Sequence, residues 1–260
     1  LPRHRCSACF SLGLVVAMEL CRQLKMTLNR DASGEAATPS TLLTGLEHAW
    51  TLNEESGTRV DSVGSADLTD NNTVGFAAGM DGNAASFVAA NSESLSHPTT
   101  LVPSDDSSFT IVAWYKPTAD NQAVVAEWFD TGVNYVFIIG QQLVTAGLEF
   151  YMYDAVAGFT APAAVAASLD NWHMFVASYD TSTNTMSIST DNGAPATAVL
   201  TNGMALGKTP TFHVGSQEDA RYLTGLVDAL LVYSRVLTAA EIALLYNSGT
   251  GNFYPFTGLP

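Results

Sequence analysis

The chain has 260 residues, enough for one large all-β domain, because sandwiches of roughly 200–250 residues are routinely single domains. Ten Lys and Arg against 25 Asp and Glu give a net charge of −15. That balance excludes a protein that tracks nucleic-acid phosphates, argues against an anionic membrane surface as partner, and reads either as solubility or as a surface that collects divalent cations.

All three cysteines, Cys6, Cys9 and Cys21, lie in the first 45 residues, so the remainder has no disulfide. Cys6-x-x-Cys9 has no second pair or His cluster at zinc spacing behind it. Arg3, His4 and Arg5 precede an apolar run over residues 10–18 that resembles a signal peptide and is too short to span a bilayer. Three readings of this segment stand. It is an extension without a role in the fold, with Met26 as a natural start, or a secretion signal, or an arm that docks on an assembly partner. Residues 31–41 are rich in Ser, Ala, Thr, Gly and Pro and read as a linker. The expected organisation is therefore an arm with linker over 1–45, a folded domain over 46–249, and a tail over 250–260.

Within the domain, residues 46–52 alternate as a half-buried strand that carries Trp50. Ser56-Gly57-Thr58 and Asp61-Ser62-Val63-Gly64 follow as turns, where Asp61 can bond its own backbone. A hairpin follows from Gly79-Met80-Asp81-Gly82 through Phe87 to His97-Pro98. Residues 108–117 predict a core strand with Phe109, Ile111 and Ala113 on one face and Val112 and Trp114 on the other, stopped at Pro117. Strands are expected over 123–128, 134–140 and 148–153, then a loop or weak edge over 155–168 interrupted by Pro162. Residues 172–180 and 186–189 follow as strands, with Asp191-Asn192-Gly193 as a hairpin turn, then residues 211–215.

Residues 222–246 carry the densest signal. Gly225 to Tyr233 is almost wholly apolar, with Asp228 its one charge, and predicts a strand buried on both faces. Thr238-Ala239-Ala240-Glu241 is a capping box, Leu237 and Ile242 stand at staple positions, and Asn247-Ser248-Gly249 supplies the stop. Many short strands with one short helix predict an all-β antiparallel sandwich, a jelly roll, with Trp50, Phe109, Trp114, Val227 and Leu231 buried.

Tyr222, Gly225, Val227, Asp228, Tyr233, Arg235, Leu237, Thr238, Glu241 and Ile242 together resemble the C-terminal signature of laminin-G-like (concanavalin A-like) domains. The Ser56-Gly57-Thr58 turn, the Gly79 to Phe87 hairpin, the 108–117 strand and Trp172-His173 match further motifs of that family in order, and pentraxins share a looser version. The resemblance covers about 46–249. It implies a binding module for glycans or surface proteins, working outside the cell or on a virion surface.

No enzyme pattern accompanies it. There is no G-x-S-x-G, H-E-x-x-H or P-loop. Glu127 and Glu149 each stand without a carboxylate two residues on, whereas glycoside hydrolysis wants a facing pair. His48, His173 and His213 sit in strand patterns, where a hydrogen-bonded structural role is the simpler reading. The expectation is a non-catalytic module that binds a glycan or surface protein, without nucleic acid and without a membrane span. A structural virion decoration, fibre or cell-surface assembly protein is the alternative, and a glycoside hydrolase the third reading. Asn71-Asn72-Thr73 is a sequon.

The resemblance also implies calcium at the sandwich rim. Asp130 and Asn134 stand where laminin-type sites open a strand after a turn, and Gly215-Ser216-Gln217-Glu218-Asp219 stands where pentraxins carry an acidic cluster, with Gln and Glu exchanged. Oxygen donors on two loops suit a hard cation. The ligand set so implied is Asp130, Asn134, Gln217, Glu218 and Asp219. Asp61 and Asp228 are rivals, more simply explained as a turn cap and a buried strand partner.

Overall fold

Alternating burial sorts the strands of this chain into two antiparallel sheets. The computed structural model describes residues 38, 40–102, 107–119, 123–130, 134–141, 147–154, 156, 158–159, 163–204, 210–217 and 221–257; the side chains of 127–130, 134–135, 141, 158–159 and 163 are outside that description. The N-terminal arm, with its cysteines, also lies outside it. The described strands are β1 (Leu46–Trp50), β2 (Thr69–Asn71), β3 (Gly75–Ala78), β4 (Asn83–Phe87), β5 (Ser94–His97), β6 (Phe109–Pro117), β7 (Ala123–Asp130) and β8 (Asn134–Gln141). They continue as β9 (Gly147–Asp154), β10 (Gly158–Phe159), β11 (Ala163–Ala166), β12 (His173–Asp180), β13 (Thr185–Thr190), β14 (Ala196–Val199), β15 (Thr211–Val214) and β16 (Gly225–Tyr233), followed by one α-helix, α1 (Ala239–Tyr246).

The first sheet runs β14-β13-β12-β6-β16-β4-β3, with β1 also on β16; the second runs β10-β9-β8-β7-β15-β5-β2, with β11 also on β9. Their facing sides share one core. Phe109, Ile111, Ala113 and Tyr115 of β6 enter it, while Val112 and Trp114 point to the opposite face, as the alternation predicts. Aromatic rings bridge the sheets: Trp50 stacks on Phe212 at 5.8 Å, and Phe109 meets Phe137 at 6.0 Å. The expected weak edge over 155–168 is realised as β10 and β11, two short strands added to opposite ends of β9.

The outer face of the first sheet is partly roofed. Thr238 accepts from the Glu241 amide and Glu241 accepts from Thr238 N, so the capping box forms, and Asn247 ends the helix in the left-handed region. Leu237 and Leu245 pack on Val112, Trp114 and Leu231, and Tyr246 stacks on Trp114 at 5.9 Å. The chain after the helix returns to this face and buries Phe256 in the same cluster. Arg235 ties the roof down, reaching both Glu241 oxygens (2.7 and 2.8 Å) and the carbonyls of Thr41 and Thr44.

Two carboxylates hold turns. Asp61 accepts from the amides of Ala49, Val63, Gly64 and Ala66 and meets His48 Nδ1 at 2.6 Å. Asp228, fully buried, accepts through Oδ2 from the amides of Met80 and Asp81 in the β3–β4 turn. A Cβ on Gly79 would sit 2.5 Å from that same Oδ2, so glycine is required there. Asp228 Oδ1 is buried without a hydrogen-bond partner. Burial outweighs the backbone amides of Asp81, Met80 and Ala229 and pushes this carboxyl up to about 6.

The folded protein thus takes up a proton near pH 6, whereas the unfolded chain does so near 4. Stability from this group is greatest in acid and falls as pH rises from 4 to 6; above 6 its ionised form costs on the order of 2–3 kcal/mol. Asp228→Asn keeps an oxygen for the two amides. The variant should match or exceed the parent's stability at pH 7 and flatten the slope between pH 4 and 6 in urea melts. A large loss at pH 7 would show that the charge itself holds the turn.

Candidate functional site

The registers of the second sheet place Tyr151, Ile138, Ala126, His213, Ser96 and Thr69 abreast across five strands and β2. Their sequence neighbours Phe150, Phe137, Val125, Phe212 and Leu95 enter the core, so this row belongs to the outer face. Tyr151 packs on Ala123, Ala126 and Ile138 as a small separate apolar cluster. Its hydroxyl donates to Glu149 Oε2 at 2.6 Å. Burial, and then the Glu149 carboxylate, push the phenol far above its usual range, with the Arg221 charge working against them. Tyr151 is therefore a neutral donor at any physiological pH. At the other end of the row, Asn71 Nδ2 reaches Ser96 Oγ at 3.0 Å and Ser94 Oγ at 3.4 Å. The sequon asparagine thus spends its amide on neighbouring hydroxyls. The outcome is a buried apolar cluster, with Ala126 0%, Ile138 3% and Tyr151 7% exposed, flanked by a carboxylate–phenol pair on one side and hydroxyl and amide groups on the other.

The calcium residues fall at two places. Asp130 and Asn134 are paired across the β7–β8 hairpin end, and their side chains lie outside the described residues. Because Val214 pairs with Val125, Gln217 leaves β15 beyond the opposite end of β7. The five steps from Val125 to Asp130 span roughly 16 Å of strand, so the register does not bring Asp130 and Asn134 to Gln217. Glu218 and Asp219 lie outside the described residues. The Gln217 end has a feature that suits a cation: Gln217 Oε1 and Ser216 Oγ are buried oxygens without a hydrogen-bond partner. Among the described residues, no group of three or more His, Cys, Asp or Glu is placed to hold a metal ion.

His173 has the companions of a nucleophile site, with Nδ1 2.6 Å from Asp191 Oδ2 and Nε2 3.0 Å from Ser168 Oγ. The arrangement is a clip instead. The Ser168 amide and carbonyl lie 3.1 and 3.2 Å from the same Nε2, so the ring is partnered in either protonation state, and Asn171 Nδ2 occupies the hydroxyl at 3.1 Å. Asp191 Oδ1 also accepts from the Met174 amide. The clip binds the loop before β12 to the turn after β13.

The fold just described has counterparts. The family model for the concanavalin A-like lectin/glucanases superfamily (Laminin_G_3) matches residues 89–243, more than half of the chain. The chain belongs to that superfamily. No curated protein sequence matches this superfamily member. Among solved structures it is similar to domain 4 of AbnA, a GH43 extracellular arabinanase from Geobacillus stearothermophilus, in complex with arabinotriose: 16% identity and TM-score 0.60 over 79% of this chain and 98% of that one. The binding domain of Paraclostridial Mosquitocidal Protein 1 matches at 14% and 0.61, over 78% of this chain and 52% of the other. A Trypanosoma rangeli sialidase in complex with sialic acid matches at 14% and 0.59, over 94% of this chain and 40% of the sialidase. At these identities the likeness shows the fold of this lectin/glucanase-superfamily chain. The chain spans about half of the toxin domain and two fifths of the sialidase.

Hydrogen bonding to Asp191 first, against the cost of burial, raises the His173 pKa. A raised histidine stabilises the fold below its unfolded pKa of about 6.5, and that contribution disappears as pH climbs through the folded value. His173→Gln should therefore cost about 1 kcal/mol at pH 5 and less at pH 8.5, read from denaturant melts. An equal loss at both pH values would remove the ionic part of the clip.

Proposed function

We propose that this chain is a non-catalytic module that recognises a glycan on the outer face of the second sheet. The observation that carries the reading is the row itself. Ala126 and Ile138 are themselves buried, 0% and 3% exposed, and pack with Tyr151, so what the row can offer a ligand is the polar groups at its two ends, the Tyr151–Glu149 pair and the Ser96–Asn71 pair. Bound arabinotriose and sialic acid in the two similar structures support a sugar as ligand class. Among the described side chains directed outward from the strands of this sheet, Glu149 is the one carboxylate, and its Oε2 takes the Tyr151 phenol. A hydrolase would want a second carboxyl facing it. No helix among the described residues is long and apolar enough to cross a membrane.

A glycan array with the purified chain should give clear hits, and Tyr151→Phe should weaken them about tenfold, some 1.4 kcal/mol. Silence on the array, with the protein found on particles or cell surfaces, would favour an assembly role. Release of sugar from laminarin, agar or sialosides that stops with Glu149→Gln would make it an enzyme.

Calcium is a separate proposal, carried by the Gln217 end with its orphaned oxygens. Gln217, Glu218 and Asp219 would supply oxygens to a hard cation there. Millimolar calcium should raise the melting temperature, since a ligand bound only by the folded state stabilises it, and Glu218→Ala with Asp219→Ala should abolish the rise. A rise that survives the double change would put the ion at the Asp130–Asn134 end, and no rise in the parent would remove the site.

A further inference from the structure

The outer face of the first sheet changes character where its roof ends. Under α1 and the C-terminal segment it is apolar, with Val112, Trp114, Met174, Leu231 and Tyr233. Beyond the start of the helix it turns to hydroxyls. The registers set Thr110, Ser178 and Ser187 abreast on β6, β12 and β13, with Ser189 opposite Val176 in the next row. This floor is not an ordinary solvated sheet face, because Ser178 and Ser189 are only 6% and 5% exposed. They are sunk between two walls. On one side stand Val236, Leu237, Ala239 and Ile242; on the other, the turn of residues 192–195. Asp191 and Asn192 both have positive φ, 54° and 57°, and Gly193 N donates to Thr190 O, so the turn is tight. The His173–Asp191 clip holds that turn at its base. Between the walls lies a groove of about 410 Å³ that no described part of the chain fills, within the roughly 300–1,000 Å³ of small-ligand pockets.

The lining decides the ligand class. It contains no charged side chain. The nearest guanidinium in sequence, Arg235, is spent on Glu241 and two carbonyls. A carboxylate, sulfate or phosphate would find no cation, and a cation would find no carboxylate. What the floor offers is hydroxyl groups, each both donor and acceptor. Ser178 Oγ and Ser187 Oγ lie 2.8 Å apart, so one donates to the other and the second proton stays free for a ligand. Thr110 is already committed to Arg235 O and the Leu237 amide. The helix-side wall is aliphatic and suits the C–H face of a ring. We infer that this groove is a second binding site, for a neutral, hydroxyl-rich ligand of one to three sugar rings. It rests on the glycan reading above but lies on the opposite sheet.

The test uses the full chain and two probes, arabinotriose as a neutral trisaccharide and 3′-sialyllactose as a charged one, each up to about 10 mM, where a Kd of 1 mM nears saturation. Backbone amide NMR shifts should appear at Ser178, Ser187, Ser189 and Asn192 with arabinotriose and not with sialyllactose. Ser187→Trp, which fills the groove from its floor, should weaken arabinotriose at least tenfold, while Val60→Trp, at a position 52% exposed and outside the groove, changes it less than twofold. Val236→Trp narrows the groove from a position already 38% exposed and keeps the test valid if Ser187→Trp misfolds. Arabinotriose binding that both groove variants retain and Tyr151→Phe loses would overturn this inference and leave the first site standing. Binding lost only in the groove variants would place neutral-sugar recognition here. Absence of shifts at the groove with both probes also overturns it, and absence at both faces overturns the glycan reading as well.

Discussion

Everything in this sandwich is referred to one strand that is buried on both faces. Along one edge β16 pairs with β6 over nearly its whole length; along the other it meets β4 through Gly225 to Val227 and then β1 through Leu230 to Tyr233. The change of partner coincides with a bulge between Asp228 and Leu231, where Ala229 has φ +50°. An extra residue on one strand reverses which side chains face inward. Val227 is inward before the bulge and Leu230 and Val232 after it, with Leu231 and Tyr233 turned to the roofed face. The gap between β4 and β1 is filled by Asp228, which catches the turn between β3 and β4. A carboxyl oxygen in an otherwise apolar strand, accepting from the Met80 and Asp81 amides, thus closes the sheet at the point where its neighbours change.

The roof depends on local chemistry tied to distant chain. The capping box makes a short helix begin at a fixed residue, and Glu241 serves twice, capping the helix and anchoring Arg235. Hydrogen bonding to Arg235 and Thr238 holds the Glu241 carboxyl below its usual value against the opposing effect of burial. Arg235 in turn reaches back to Thr41 and Thr44, so the entry to β1 and the exit of β16 are fastened together. This roof covers half of one outer face and leaves a hydroxyl-floored groove at its edge.

The two outer faces therefore differ in their chemistry. The second sheet carries a buried apolar cluster with a phenol–carboxylate pair. The first offers serines between an aliphatic wall and a clipped turn. In neither place do the described groups form the facing carboxylates that glycoside hydrolysis uses.

The parts legible in the sequence are those written in nearest neighbours. The alternation of Phe109 to Trp114, the capping box at Thr238, the Asp191-Asn192-Gly193 turn and the two-faced apolar run of β16 are all readable, because period, cap and turn chemistry act within a few residues. The bulge in β16 was hidden for a physical reason: with apolar residues on both faces, a one-residue slip leaves no trace in the pattern. The Tyr151–Glu149 pair lies two residues apart on one face, and a period-two reading for polar side chains as well as apolar ones would have found it. The rest is set by strand order and register, which only the tertiary structure decides. Register put Asp130 and Asn134 at one end of β7 and Gln217 beyond the other, although they stand in the chain where a shared rim would place them. It also set Thr110, Ser178 and Ser187, from three strands, side by side in one groove, where sequence separation conceals that they belong together.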